Sequence, residues 1–218
     1  SNIAPTHSDG RELWKVHAEN GREFEASAVV LTPPVPQTLS LLDESGIDPG
    51  VSARQRLDSV EYSPCICVMA VCREPHPIPG PGAIQLSKGP VQWMADNYRK
   101  GISPDVHALT IHTTPDWSNE HYDEPDEVIL ELVAEALQPW LSLDEAVMQV
   151  KRWRYARVSR RPGGARAALS LRLETGAPLY CAGDGLVAGR VESAALSGKD
   201  AAERLVSEQP FSPESRQS

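Results

Sequence analysis

The sequence predicts an α+β fold, a mostly antiparallel sheet with flanking helices. Three observations carry this reading. Short apolar or alternating segments recur along the first two thirds of the chain, separated by Gly-, Pro- and Asn-containing turns. One long segment, from about Pro125 to Leu141, repeats its apolar residues at helical spacing. Near the C-terminus a compact apolar strand, Leu179 to Ala182, leads through Gly183-Asp184-Gly185 into a second helix.

Taken in order, the first few residues are expected to be disordered, as chain ends without a docking partner usually are. Leu13 to Ala18 reads as a strand, Asn20-Gly21 as a tight hairpin turn, and Arg22 to Ala26 as the return strand. Ala28 to Leu31 is a continuous apolar run of the kind buried on both faces of a sheet. The proline-rich TPPVP stops it, and a short helix over Gln37 to Leu42 ends at Gly46. Pro64 to Cys72 is a further apolar strand. The following REPHPIPGPG must be a loop, because proline removes backbone donors that a helix or a central strand needs. Val91 to Ala95 and Val106 to Thr113 are strands. The helix after them places Pro125 at its first position and Glu124, Asp126 and Glu127 at the positive end of its dipole. Val128, Ile129, Leu132, Val133, Ala136, Leu137 and Trp140 form its core-facing stripe. Val147 to Ala156 is a strand, and residues 209–218 are a polar tail expected to be disordered.

Composition narrows the function. A chain of 218 residues with 40% hydrophobic residues can bury a core. Its formal net charge of −9 repels phosphate backbones, so no nucleic-acid partner is expected. No apolar run approaches the roughly 20 residues of a membrane-spanning helix, so no membrane partner is expected either. The four cysteines, Cys65, Cys67, Cys72 and Cys181, contain no C-x-x-C pair, and they read as buried, reduced thiols of a cytoplasmic protein. The six histidines show no ligand spacing, and no metal is expected. These exclusions leave a small-molecule substrate open, without pointing to one.

The segment richest in chemistry is Pro178 to Leu205. A strand, an acidic turn and an open helix N-terminus offer an acceptor carboxylate beside unpartnered N–H groups, which suits a polar cofactor. An ordinary strand–turn–helix unit has the same pattern, and the residues alone leave both readings open. Val191, Ala194, Ala195, Gly198, Ala202 and Leu205 are expected on one small-residue face of the helix, suited to close packing. Elsewhere, Trp153 and Tyr155 share one side of their strand and either face a ligand or pack in the core. Trp93 and His112 read as lone buried residues. Arg157, Arg160, Arg161 and Arg166 form a basic cluster, read as a solvated loop rather than a phosphate site.

Ala182-Gly183-Asp184 followed by GRVESAALSG at 189–198 resembles the C-terminal FAD-contacting segment of the renalase-like and flavin-containing amine oxidases. WKV at 14–16, FEASAVVLTPPVPQTLSLL, PDWSNEHYDEPDEV and RWRYA at 152–156 are similar to landmarks of that family in the same order. The resemblance implies an FAD-dependent oxidoreductase acting on an amine or a dihydronicotinamide-like substrate. It implies Gly183, Asp184, Gly189, Arg190, Val191 and Glu192 as cofactor-binding, with Trp153 and Tyr155 in the substrate pocket. It also implies partial, Rossmann-like FAD-binding elements at 1–36 and 171–208 around a substrate domain at 37–170.

Two departures stand out. Gly185 occupies a position where many relatives carry an aromatic residue, and no G-x-G-x-x-G occurs in the 218 residues. The chain is therefore expected to correspond to the C-terminal portion of such an enzyme. It should bind FAD weakly or not at all by itself, and self-associate through an uncovered sheet edge. The competing expectation is a non-catalytic binding domain without cofactor.

Overall fold

A computed structural model describes residues 2–8, 10–138, 140–161, 171–173 and 175–208. The chain divides into two compact units, one formed by residues 1–61 with 158–218 and the other by 62–157.

In the first unit, β1 (Asn2–Ser8), β2 (Arg11–His17) and β3 (Glu23–Ala26) form an antiparallel sheet in that order. Asn2–Ser8 is a strand rather than a disordered lead. Pro5 is tolerated because β1 is an edge strand, where a missing N–H need not meet a neighbour. The expected hairpin is present: Trp14 pairs with Ala26, and the Ala18 N–H donates to the Arg22 carbonyl at 2.9 Å across the Asn20-Gly21 turn. β4 (Val29–Leu31) lies parallel to β11 (Leu179–Cys181), and β10 (Leu171–Arg172) flanks β11 on the other side. Leu179 is opposite Val29 and Cys181 opposite Leu31, so two ends of the chain build one sheet. Trp14, 2% exposed, donates its indole N–H to the Pro178 carbonyl at 3.1 Å and ties β2 to the entry of β11. Helices α1 (Val35–Glu44) and α2 (Val51–Asp58) follow β4 in the same unit. α2 has a largely polar sequence that gave no periodic signal.

The second unit is a five-stranded sheet in the order β6-β7-β8-β5-β9, from β5 (Glu61–Cys72), β6 (Ala83–Gln85), β7 (Val91–Asp96), β8 (His107–Thr113) and β9 (Val147–Arg160). The pairs β6/β7, β7/β8 and β5/β8 are antiparallel. The short α3 (Pro115–Glu120) precedes α4 (Asp126–Leu137), whose Ile129, Val133 and Leu137 pack with Ile66, Val68, Leu109 and Ile111 on one sheet face. Pro125 is the N-cap of α4 rather than its first helical residue. The helix stops at Leu137, and Trp140, expected in the stripe, is 56% exposed. The proline-rich segment 73–82 is a loop, as its composition requires.

α5 (Val191–Glu208) buries Ser193, Ser197 and Ala201, not the expected face. Val191 is 90% exposed, and a Cβ added at Gly198 would meet nothing within 4 Å. The helix turns two serines inward because Ser197 has a backbone donor to satisfy there. All four cysteines are free thiols. Burial pushes Cys65 and Cys67 up to about 11 and Cys181 up to about 12, which leaves all three protonated near neutrality. The tail at 209–218, Arg166 and the Gly163-Gly164 pair lie outside the described residues.

Candidate functional site

The strand–turn–helix in the first unit is held by a chain of backbone constraints. The Ala182 N–H donates to the Leu31 carbonyl at 2.9 Å, which carries the β4/β11 pairing one residue past the strand. Gly183 then adopts φ +150, a conformation open to glycine, and donates its N–H to Ser197 Oγ at 2.9 Å. Asp184–Leu186 forms one 3-10 turn. The Asp184 carbonyl accepts from the N–H groups of Val187 at 3.1 Å and Gly189 at 3.2 Å. This folds the chain back so that Asp184 sits beside the start of α5. Gly189 has φ +62, and a Cβ there would lie 3.1 Å from the Val158 Cβ, so close approach as well as backbone conformation demands glycine.

The structure thus brings together Gly183, Asp184, Gly189, Arg190, Val191 and Glu192. Asp184 is half-buried, and among the described residues its carboxylate has no hydrogen-bond or ion-pair partner. Arg190, Val191 and Glu192 are exposed at the N-terminus of an 18-residue helix whose first N–H groups have no acceptor inside it. The chemistry of this donor set is an acceptor for hydroxyl groups next to donors for anionic or carbonyl oxygen. It fits the polyol and ring-edge portions of FAD. Gly185 is buried in the turn and presents no side chain there.

At the far side of the same unit, Tyr180 donates to Glu208, and Arg172 pairs with Glu208 at 3.2 Å. The Arg204 guanidinium lies 5.5 Å from the Tyr180 ring centroid, which anchors the last turn of α5 to β11. Of the basic cluster, Arg160 pairs with Glu61 at 2.5 Å and Arg161 donates to the Val187 carbonyl at 2.6 Å. Both brace the unit rather than forming a free phosphate site.

In the second unit, Trp153 and Tyr155 do not stand alone. Trp153 meets the His112 ring edge-on, with centroids 5.5 Å apart, and His112 lies against Trp93 at 4.9 Å. Tyr155 meets Tyr62 edge-on at 5.8 Å. Trp93 and Cys67 both lie opposite His112 in the strand register, on the sheet face that α4 does not cover. His112 and Trp93 are therefore members of an aromatic run, not lone buried residues. The β7/β8 pairing is the signal that would have found them, but register is not readable residue by residue. Burial lowers the His112 pKa, so its ring is neutral near pH 7. The described residues contain no group of three or more His, Cys, Asp or Glu able to hold a metal. None of their helices is long and apolar enough to cross a membrane.

A family model described as flavin containing amine oxidoreductase matches residues 2–206. Among solved structures, a cysteine variant of putrescine oxidase superposes with a TM-score of 0.67 at 17% identity, over 95% of this chain and 48% of that one. A protein designated a protoporphyrinogen oxidase, from Exiguobacterium sp. 255-15, gives 0.58 at 17% identity, over 92% and 46%. A protein from Pyrococcus furiosus gives 0.54 at 15% identity, over 91% and 45%. At such identities the likeness is one of fold, and the chain spans about half the length of these structures.

Proposed function

This chain belongs to the flavin-containing amine oxidoreductase family, and we propose that its two units carry different tasks in an FAD-dependent oxidation of an amine or a dihydronicotinamide-like substrate. The single observation that carries the proposal is the half-buried Asp184 carboxylate, unpartnered among the described residues, beside the open N-terminus of α5. FAD, when bound, supplies the acceptor for a hydride equivalent. The chain's residues orient it: Asp184 accepts from ribityl hydroxyls, and the N–H groups at Val191 and Glu192 donate to polar oxygens of the cofactor. Gly183 and Gly189 hold that geometry through backbone conformations that other residues reach only with strain. Trp153 and Tyr155, in the second unit, supply apolar wall to the substrate and exclude water from it.

Titration of the 218-residue chain with FAD, followed by flavin absorbance, tests this. With no glycine-rich loop in the sequence, the pyrophosphate lacks its usual converging N–H groups, and the expected Kd is micromolar or weaker. Asp184→Ala removes a hydrogen bond to a charged acceptor, about 1.5–3 kcal/mol, and should weaken FAD binding by at least about tenfold. A Kd indifferent to Asp184→Ala would refute the assigned site. Sub-micromolar binding would show that the chain holds a phosphate-binding element of another kind.

A further inference from the structure

The proline-rich segment that follows β5 forms one wall of a cleft of about 540 Å³, a size common among small-molecule sites. Its lining comes from residues 72–77 on one side and 141–145 on the other. Both stretches belong to the second unit, just after β5 and just before β9. Pro75 and Pro77 restrict the backbone of the first wall, and the buried Leu141 makes the second partly apolar. Arg73 and Glu145 pair from wall to wall at 2.8 Å. Glu145 holds φ +60, which no other non-glycine residue does among the described residues.

Two features of the lining define its chemistry. His76 is 5% exposed, and its Nε2 has no hydrogen-bond partner among the described residues. The ring does donate to the His107 backbone carbonyl, a bond that falls to Nδ1 because Nε2 makes none. Burial lowers the His76 pKa, so the ring is neutral near pH 7 and Nε2 is a bare acceptor. A buried polar atom left unpaired is unfavourable, and a ligand donor would relieve it. Around it stand three carboxylates, Glu74, Asp144 and Glu145, and one cation, Arg73. Arg73 is engaged by Glu145, while Glu74 and Asp144 have no side-chain partner among the described residues. The cleft therefore has acceptors in surplus. A metal ion has no cluster of three ligands to hold it among these residues.

We infer that this cleft binds a small organic cation of the amidinium or guanidinium class. Its N–H groups donate to His76 Nε2 and to the Glu74 and Asp144 carboxylates, and its apolar body lies against Leu141 and the two prolines. A planar fork of N–H donors reaches more than one acceptor at once, which a single ammonium does less well. The site belongs to the second unit and uses none of the residues assigned to the flavin.

Benzamidine, a cation at neutral pH, and the neutral benzamide share a ring and nearly the same shape. Each is titrated into the 218-residue chain and followed by two-dimensional amide NMR. Benzamidine is expected to bind saturably, with shifts concentrated at residues 72–77 and 141–145. It should bind at least about tenfold more tightly than benzamide, a difference that one charge-assisted hydrogen bond supplies. Glu74→Gln combined with Asp144→Asn alters two exposed side chains and should remove most of that preference. His76→Asn keeps a donor near the Nδ1 position and deletes Nε2, whereas His76→Gln places an amide oxygen near Nε2. Benzamidine binding should fall about tenfold in the first and be largely kept in the second. If His76 only supports the loop, both variants change the melting point and neither changes binding. Should either His76 variant fail to fold, the paired exposed substitutions decide. Equal binding of the two probes, shifts centred elsewhere, a preference that survives the paired substitutions, or no saturable binding overturns the inference. The FAD titration reads the Asp184 turn in the other unit, so neither outcome stands in for the other.

Discussion

Ser197 is fully buried on α5, and its Oγ accepts the Gly183 N–H at 2.9 Å. Ser197→Ala removes the acceptor and leaves the N–H of the half-buried Gly183 facing a buried methyl group. An unsatisfied buried donor costs about 1–3 kcal/mol. Alanine recovers roughly 0.5 kcal/mol through its higher helix propensity. The net loss is then about 0.5–2.5 kcal/mol, and at about 2–4 °C per kcal/mol it lowers the melting point by roughly 1–10 °C. Two compact units give reason to expect two transitions in a calorimetric scan, and the loss should fall on the one formed by residues 1–61 and 158–218. Faster hydrogen exchange at the Gly183 amide should accompany it. A melting point that stays the same or rises would refute the claim that this bond holds the turn carrying Asp184.

Gly189→Ala should destabilise the same unit by about 1–2 kcal/mol, measured by urea unfolding, because it forces a side chain into φ +62 and against Val158. A neutral effect would show that the turn can relax. Stability should also fall as pH rises from about 9 to about 12, because Cys181 has an ordinary value of 9.0 and is pushed up to about 12 by burial. The unfolded chain then loses its proton first, so rising pH favours unfolding; a flat profile by denaturant titration would contradict the burial. β4 has β11 on one side and, among the described residues, no strand on the other. Self-association through that edge is expected to make the apparent mass by light scattering rise with concentration, and a constant monomer mass would dismiss it.

Much of the fold was legible because local chemistry decides it. Asn20-Gly21 specifies a hairpin through the backbone conformations its turn needs, and β2 and β3 pair across it. The apolar period of α4 selects its buried face, since Ile129, Val133 and Leu137 have no other way to leave water. The prolines of 73–82 exclude a helix or strand by removing donors. The parallel pairing of Val29–Leu31 with Leu179–Cys181 was legible only through family resemblance, because nothing local links segments so far apart.

What the tertiary structure alone decided depends on non-local neighbours. α5 is built largely of small residues, so hydrophobicity does not choose its face. The Gly183 N–H chooses it instead, by turning Ser197 inward. β1 exists because β2 offers it an edge, a partner that its own residues do not announce. Trp140 is exposed because α4 ends before reaching it. Trp93, His112 and Trp153 meet only through the strand order β7-β8-β5-β9, and that order is a property of the assembled sheet rather than of any one segment.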